Sequence, residues 1–499
     1  MDIRVVHLRD SDGLSDTRII PFYEGINLEE ISCLEDSIEA MVSHLVRVEK
    51  FTGKYGQLES FRIPREKNPK NIILAGLGKE EELDLEKIRR LNAKAVKESQ
   101  KLGAKSIKLY PFNLPTFIEL ADFARAVAES ALLTDYSFDK YKSDRKDSTL
   151  REFNIVYIND DSIESLNEGV VEGTILGEFT ILARNLTNEP ANHMTPQILA
   201  EEAQKAGTQN GFDVEVLDES GIKNLGMEAF LSVGQASDNP PRFIVMRYFG
   251  NEKNKDEILG IVGKGITFDS GGLCIKPASS MPEMKSDMAG AAAVIGAMSA
   301  IAKLGVKTNV VGVVAACENA VSGHAYRPGD IIGSMAGKTI EVVNTDAEGR
   351  LTLADAVFYI VEKENASRVV DVATLTGAAL VALGTTTTAV ISNNDMLCAD
   401  IEKAALYSGE KVWRLPAFEE YKELIKSEIA DIKNSGSRNA STITAGLFIE
   451  SFSAGKPWAH MDIAGTSWAD KDSDYIKKDG TGVGVRTLYH LAKGASESK

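Results

Sequence analysis

The sequence predicts an α/β protein of two domains. Apolar, β-branched runs typical of buried strands alternate with helix-like apolar patterns along the chain. At 499 residues the chain exceeds one ordinary hydrophobic core. A long helical pattern from Asp161 to Asn185 separates two such alternations. We therefore expect a smaller α/β domain over residues 1–160 and a larger one over 161–499, which opens with that linking helix and has a mixed, mostly parallel sheet flanked by helices.

The N-terminal domain shows strand and helix patterns but no chemistry. Strands are expected at 3–9, 71–77, Ser106–Tyr110 and Phe153–Ile158, and helices at Leu85–Leu102 and Phe117–Leu133. The polar segment from Asp135 to Arg151 predicts an exposed loop. Gly76-Leu77-Gly78 begins a dinucleotide-binding fingerprint, but the third glycine would fall at Glu81, so the fingerprint fails.

Composition narrows the function classes. A net charge of −17 argues against an electrostatic nucleic-acid binder, which needs a basic surface. Four widely spaced cysteines form no Cys-x-x-Cys pair, which fits reduced thiols in a cytoplasmic protein. The six histidines form no His-x-x-x-His pair, which argues against histidine-ligated zinc. Since the sequence shows no signal peptide and no bilayer-spanning run, we expect no membrane partner.

The larger domain contains a series of strand patterns. They lie at Phe212–Leu217, Phe243–Tyr248, Ile258–Phe268, Thr308–Ala316, Thr339–Val343, Val369–Thr374 and Trp458–Ala464. Helical patterns cover Ala289–Ala302 and the stretch from Leu353 to Val361. The segment Gly333–Thr339 is one residue short of a phosphate-binding loop and precedes a strand, so we do not expect nucleotide binding there.

Two stretches of this domain concentrate charged side chains. Residues 344–351 place Asp346, Glu348 and Arg350 on a strand-to-helix connection, where α/β proteins bind ligands. A helix start whose acids complement the helix dipole is the alternative. Upstream, Lys264 interrupts an apolar strand that ends at Asp269. A lysine there is costly unless it is paired or neutral.

These stretches resemble one enzyme family. Asn-Thr-Asp-Ala-Glu-Gly-Arg-Leu at 344–351, Val-Gly-Lys-Gly-Ile-Thr-Phe-Asp-Ser-Gly-Gly at 262–272 and Ile-Lys-Pro at 275–277 are similar to the leucyl aminopeptidase family of two-metal cytosolic peptidases. The match runs from about Arg184 to near the C-terminus, and the N-terminal third matches in pattern only. The resemblance implies a macro-like N-terminal domain that helps to pack subunits, and a homo-oligomer, most simply a hexamer.

Four acids are candidates for one metal site, namely Asp269, Asp287, Asp346 and Glu348. Clustered acids would repel one another, and two divalent cations would balance their four charges. The resemblance implies that Asp269 and Glu348 bridge the metals, that Asp346 serves one and Asp287 the other, and that Lys264 completes the second site as a neutral amine. The pKa of such a lysine should fall beside metals. Oxygen-rich ligands with one amine accept Zn²⁺, Mn²⁺, Mg²⁺ or Co²⁺.

The resemblance also assigns catalytic and pocket residues. It implies that Lys276 stabilises the oxyanion of amide hydrolysis and that Arg350 holds a bicarbonate ion as the base. An ordinary solvated loop lysine is the alternative for Lys276. The substrate-binding residues it implies are Met284, Thr374, Leu375, Gly377, Ala464 and Ser467. These suit peptides with a neutral first residue such as Leu or Met, although Ser467 stands where other members have methionine.

Two rival functions remain open at this point. Acidic two-metal sites also hydrolyse phosphoesters, although the chain lacks the basic surface expected for such substrates. An inactive relative could serve as a binding or chaperone-like protein. Because every expected ligand and both cations are present, we favour an aminopeptidase that acts in intracellular peptide turnover.

Overall fold

The computed structural model describes residues 1–11, 15–26, 35–63, 70–145 and 148–497, which form two compact units. The first unit comprises Met1–Glu178 and Lys471–Lys477, and the second comprises Phe179–Asp470 and Lys478–Lys499. The division falls within a helix, Ile163–Asn188, that we expected to open the second domain. The functional boundary between residues 160 and 161 stays a prediction.

The first unit is built on a six-stranded sheet. Its strands are β1 (Asp2–His7), β2 (Thr17–Tyr23), β3 (Leu58–Ile63), β4 (Lys70–Gly78), β5 (Ser106–Leu109) and β6 (Glu152–Tyr157). Its helices are α1 (Asp36–Arg47), α2 (Leu85–Lys101), α3 (Leu120–Asp135) and the first part of α4 (Ile163–Asn188). The strand order is β1-β6-β5-β2-β4-β3, and only the β3–β4 pair is antiparallel.

Both faces of this sheet are covered by helices, as the residues of the apolar strand β4 show. Ile73 and Ala75 belong to the core that contains residues of α2 and α3. Ile72 and Leu74 alternate with them and join the core that contains residues of α1. A strand buried on both faces needs an almost continuous apolar run, which residues 71–77 provide.

The second unit contains the remaining elements. Its strands are β7 (Asp213–Leu217), β8 (Arg242–Phe249), β9 (Ile258–Asp269), β10 (Asn309–Asn319), β11 (Ile331–Ile332), β12 (Ile340–Glu341), β13 (Arg368–Ala373), β14 (Thr388–Ser392), β15 (Val412–Arg414), β16 (Ile432–Lys433), β17 (Trp458–Asp462), β18 (Trp468–Ala469) and β19 (Asp479–Gly480). Its helices, after the end of α4, are α5 (Pro196–Asn210), α6 (Glu219–Asn224), α7 (Glu228–Gly234), α8 (Ala289–Lys303), α9 (Gly349–Glu362), α10 (Gly377–Leu383), α11 (Asp395–Ser408), α12 (Glu419–Lys422), α13 (Ser441–Glu450) and α14 (Val485–Glu497). Within the described residues, none of the helices has the length and apolar character to cross a membrane.

The main sheet of this unit has eight strands in the order β15-β14-β17-β13-β9-β10-β8-β7. Its four central strands, β17, β13, β9 and β10, are parallel, whereas β14, β8 and β7 introduce antiparallel pairs. The sheet is therefore mixed and flanked by helices, as predicted. Because the central strands are parallel, their carboxyl ends share one edge of the sheet.

One predicted strand is corrected. The run Thr339–Val343 was expected to be a buried strand leading into the acidic motif, but only β12 forms there. It pairs with β11 and β16 in a separate three-stranded sheet. The backbone N–H of Val343 donates to the side chain of Asn434 instead of to a neighbouring strand, at 2.8 Å. β-Branched residues favour extended backbone, but tertiary contacts decide whether a ladder forms.

Three cysteines are free thiols, namely Cys274, Cys317 and Cys398. Cys33 lies outside the described residues.

Candidate metal centre

The carboxyl edge of the central strands collects polar side chains. Asp269 ends β9, Asn319 ends β10 and Asp462 ends β17. Thr374 follows β13, and Glu348 directly precedes α9. This is the edge at which open α/β sheets bind their ligands.

Lys264 is buried beneath this edge and has three partners. Its Nζ lies 2.8 Å from Oδ2 of Asp287 and 2.8 Å from Oε1 of Glu348. It also donates to the carbonyl oxygen of Thr374 at 3.1 Å. These partners match the three donors of an ammonium group, so the position of Nζ is well defined.

Lys276 occupies the other half of the cluster. Its Nζ lies 2.8 Å from Oδ2 of Asp269 and 2.6 Å from Oδ1 of Asp346. Asp269, Asp346 and Glu348 each offer an oxygen atom within 4.8 Å of those of the other two. The structure thus brings all five proposed metal ligands and Lys276 into one cluster, although each ligand assignment stays a prediction.

Arg350 lies apart from both lysine ion-pair networks. Its Nη1 donates to the carbonyl oxygen of Asn434 at 2.7 Å, and its buried Nε has no hydrogen-bond partner among the described residues. Burial lowers the pKa of Arg350 to about 10, although Glu348 and Asp462 act in the opposite direction. A buried guanidinium with spare donors suits an anion.

Asp462 joins two of the loops expected to form the substrate pocket. Its Oδ1 accepts the backbone N–H groups of Leu375 at 3.1 Å and Ala464 at 3.2 Å. Thr374 is tied to the acidic cluster through its hydroxyl, which donates to Asp287 at 2.7 Å. The other predicted pocket residues differ in burial: Met284 is half-buried, Gly377 is exposed at the start of α10, and Ser467 is buried.

The acids of the cluster titrate abnormally. Burial, together with neighbouring carboxylates, raises the pKa of Asp269 to about 6 and that of Asp287 to about 8. Burial would also raise the pKa of Glu348, but Lys264 and Lys276 hold it below its ordinary value.

The carboxylate partners of Lys264 also shift its pKa. Burial alone would lower it, but Asp287 and Glu348 outweigh burial and raise it above its ordinary value. Each ion pair stabilises the ammonium form, whereas the predicted fall of this pKa concerns a lysine beside bound cations and stays a prediction.

The donor set fits divalent cations. Four carboxylates face only two lysines in the cluster. Oε2 of Glu348 is buried and has no hydrogen-bond partner among the described residues. A buried carboxylate oxygen without a partner is costly, and a hard cation is a partner that would satisfy it.

Sequence reasoning missed the residues that shape the ligand loops. Asn319 donates to Asp269 at 2.8 Å and to the carbonyl oxygen of Thr345 at 3.0 Å. Asn434 donates to the carbonyl oxygen of Asn344 at 2.7 Å. The position of Asn319 at a strand end next to Glu318 could have marked it, whereas nothing local marks Asn434, which is 90 residues away in sequence from Asn344.

Comparisons with known proteins agree with this geometry. The description "Cytosol aminopeptidase family, catalytic domain" matches residues 181–489, and the N-terminal domain of the same family matches residues 19–145. A probable cytosol aminopeptidase of Clostridium perfringens is 52% identical, over 96% of each chain. One from Alkaliphilus metalliredigens is 46% identical over 99% of each chain.

Solved structures give the same result. A mutant of tomato leucine aminopeptidase superposes with a TM-score of 0.88 at 34% identity, covering 99% of this chain and 96% of its own. The bottromycin maturation enzyme BotP in complex with Mn superposes with a TM-score of 0.85 at 32% identity, covering 96% of this chain and 99% of its own. The resemblance carried by residues 262–272 and 344–351 is thereby confirmed: the chain belongs to the cytosol aminopeptidase family of metallo-aminopeptidases.

Proposed function

We propose that this chain removes a neutral N-terminal residue, preferably Leu or Met, from small peptides with the help of two divalent cations. The acidic cluster carries the proposal. Four carboxylates face two lysines there, and one oxygen of Glu348 has no partner among the described residues. Two cations would neutralise the four acids and leave Lys276 and Arg350 as the net positive charges of the site.

Each ligand has a proposed place. Asp269 and Glu348 would bridge the two cations, Asp346 would hold one of them, and Asp287 and Lys264 would hold the other. The close approach of Asp269, Asp346 and Glu348 supports the bridging assignment. Zn²⁺ or Mn²⁺ suits this oxygen-rich set with one amine, and Mg²⁺ or Co²⁺ is an alternative.

Lys276 and Arg350 have separate proposed roles in the hydrolysis. When bound, the cations supply Lewis-acid polarisation and lower the pKa of water. Lys276 is freed from Asp269 and Asp346 once those acids are neutralised, and its ammonium donates to the carbonyl oxygen of the scissile bond. This charge stabilises the oxyanion that develops in the transition state. Arg350 would hold a bicarbonate ion, the base for relaying the proton of the attacking water to the departing amine.

The pocket for the first side chain lies among the loops that Asp462 and Asp287 organise. Thr374, Leu375 and Ala464 are held by these two acids. Met284, Gly377 and Ser467 complete the proposed lining. Small and apolar groups dominate this set, so a neutral first residue fits it.

The proposal includes a homo-oligomer, most simply a hexamer, in the cytoplasm. The second unit exposes large apolar side chains that a second copy of the chain would cover, including Val381 at 88%, Met396 at 79% and Trp413 at 65% exposure. Residues 1–160 would serve subunit packing, and residues 161–499 the chemistry. Light scattering at micromolar concentration tests this, and a protein that is only monomeric would contradict it.

One reconstitution experiment tests the activity. Metal-stripped protein is loaded with Zn²⁺, Mn²⁺, Mg²⁺ or Co²⁺ and assayed on dipeptides and on aminoacyl anilides that begin with Leu, Met, Glu or Lys. We expect two bound cations per chain and fastest turnover of the Leu and Met substrates. Phenyl phosphate is the control for a phosphoesterase. Turnover of phenyl phosphate without turnover of any anilide would overturn the proposal.

A further inference from the structure

The side chain of Lys264 crosses the first turn of α9 at the one residue there that has no side chain. A Cβ atom built on Gly349 would lie 2.4 Å from Cε of Lys264, 2.7 Å from its Nζ and 2.8 Å from its Cδ. Ordinary contacts between such atoms are about 3.5–4.0 Å long. Any side chain at residue 349 would therefore have to displace the lysine by about 1 Å.

The backbone does not explain this glycine. Gly349 is the first residue of α9, and its φ lies outside the left-handed region that favours glycine. Glycine is also a poorer helix former than alanine. The close approach of Lys264 is the remaining reason for a glycine at this position.

The side chain of Lys264 is constrained at both ends. Its Nζ is held by Asp287, Glu348 and the carbonyl oxygen of Thr374. Its own backbone is held as well, because Lys264 lies within β9 and pairs with Ala315 of β10. The chain between these two constraints must pass over residue 349.

We propose that Gly349 is a positioning residue that sets the reach of Lys264 toward the cation shared with Asp287. The inference rests on the proposed function, in which Lys264 is a ligand of one of two cations. Metal sites tolerate displacements of only about 0.2 Å in ligand distance. A methyl group at residue 349 would therefore empty the site that uses Lys264 and leave the site of Asp269, Asp346 and Glu348 loaded.

Metal counting tests the proposal without an activity assay. Purified Gly349→Ala protein is dialysed against Mn²⁺ or Zn²⁺, and bound metal is measured by mass spectrometry. We expect one tightly bound ion per chain, against two in the parent. Gly323→Ala is the matched control, because a Cβ there meets nothing within 4 Å, and it should keep two. Two ions in Gly349→Ala would overturn the proposal, whereas fewer than two in the parent would overturn the proposed function instead.

A double-mutant cycle in metal-free protein tests the steric step by itself. Gly349→Ala should lower the melting temperature in the parent, but not in Lys264→Ala protein, from which the obstructing atoms have been removed. If Gly349→Ala does not fold, the double variant should restore folding. An equal loss of melting temperature in both backgrounds, or a double variant that also fails to fold, would show that Lys264 is not what Gly349 accommodates.

Discussion

Two buried carboxylates lie about two turns apart, Glu348 directly before α9 and Asp355 within it, and their hydrogen-bond partners differ in kind. Asp355, in the middle of the helix, accepts the backbone N–H of Phe230 at 2.9 Å and that of Met335 at 2.8 Å, one on each oxygen. Glu348, at the helix start, has Lys264 on one oxygen and no partner for the other among the described residues.

Asp355 is thus a structural acid, whereas Glu348 is a candidate metal ligand. Fixed backbone donors satisfy Asp355, which fastens α7 and the loop at Met335 to α9. Glu348 is paired with a side chain and keeps an oxygen that a cation would satisfy. Burial alone therefore does not mark a candidate metal ligand, whereas burial together with unsatisfied bonding capacity in a charge-imbalanced cluster does.

The largest expected effect is the loss of activity when Glu348 is removed. Glu348→Ala, like Asp346→Ala, should abolish peptidase activity because bound metal is lost. Glu348→Ala protein should stay folded, since Lys264 keeps Asp287 and the carbonyl oxygen of Thr374 as partners. Metal analysis and circular dichroism check both points. Full metal occupancy in either variant would refute the ligand assignment.

Variants of the lysine and arginine side chains should distinguish residues that act in the chemical step from residues that bind metal. Lys276→Ala should lower kcat by about 10²–10³ and leave metal content unchanged, because the oxyanion charge develops in the transition state. Arg350→Ala should be milder, since water can partly replace the anion it holds. Steady-state kinetics and metal counts measure both. If Lys276→Ala loses metal while Lys264→Ala keeps two ions, the two lysine roles are reversed.

Removal of Asp355 should have the opposite effect, lowering stability without changing metal content or activity. Asp355→Ala leaves the N–H groups of Phe230 and Met335 without their acceptor, which should lower the free energy of unfolding by about 2–5 kcal/mol. Metal content and kcat should stay at parent values at low temperature. Urea unfolding measures the loss, with Asp355→Asn as the matched control that keeps an accepting oxygen. Selective metal loss in a stable Asp355→Ala protein would erase the distinction between the two acids.

The smallest effect is a pH dependence of stability at Asp355. Burial raises the pKa of Asp355 to about 7, although the N–H groups of Phe230 and Met335 act in the opposite direction. A raised folded-state pKa means that the native protein retains the proton that the unfolded chain releases near pH 4. The stabilisation is therefore complete below about pH 4 and is lost as the pH rises to about 7. Unfolding midpoints of the parent relative to Asp355→Asn should fall over this range, and a flat difference would contradict the shift.

The sequence by itself determined several of the elements and, through the motifs that resemble one family, the members of the charged cluster. The period of the apolar residues predicted β4, β9, β10 and the helices α2, α8 and α9, because burial on a strand or a helix imposes that period. The motif at residues 344–351 and the lysine in an apolar strand pointed to the charged side chains that the structure brings together. These signals are local, so they can be read without a fold.

Only the tertiary structure decided which partners complete the site. The β-branched run before Asp346 forms a two-residue strand in a separate sheet, because Asn434 takes the N–H of Val343. The bonds of Asn319 and Asn434 to the ligand loops join segments far apart in sequence, and no local pattern encodes such a pairing. The difference between Glu348 and Asp355 has the same cause. The packing of α7 and of the loop at Met335 against α9 supplies backbone donors to Asp355, whereas Glu348 meets the side chain of Lys264.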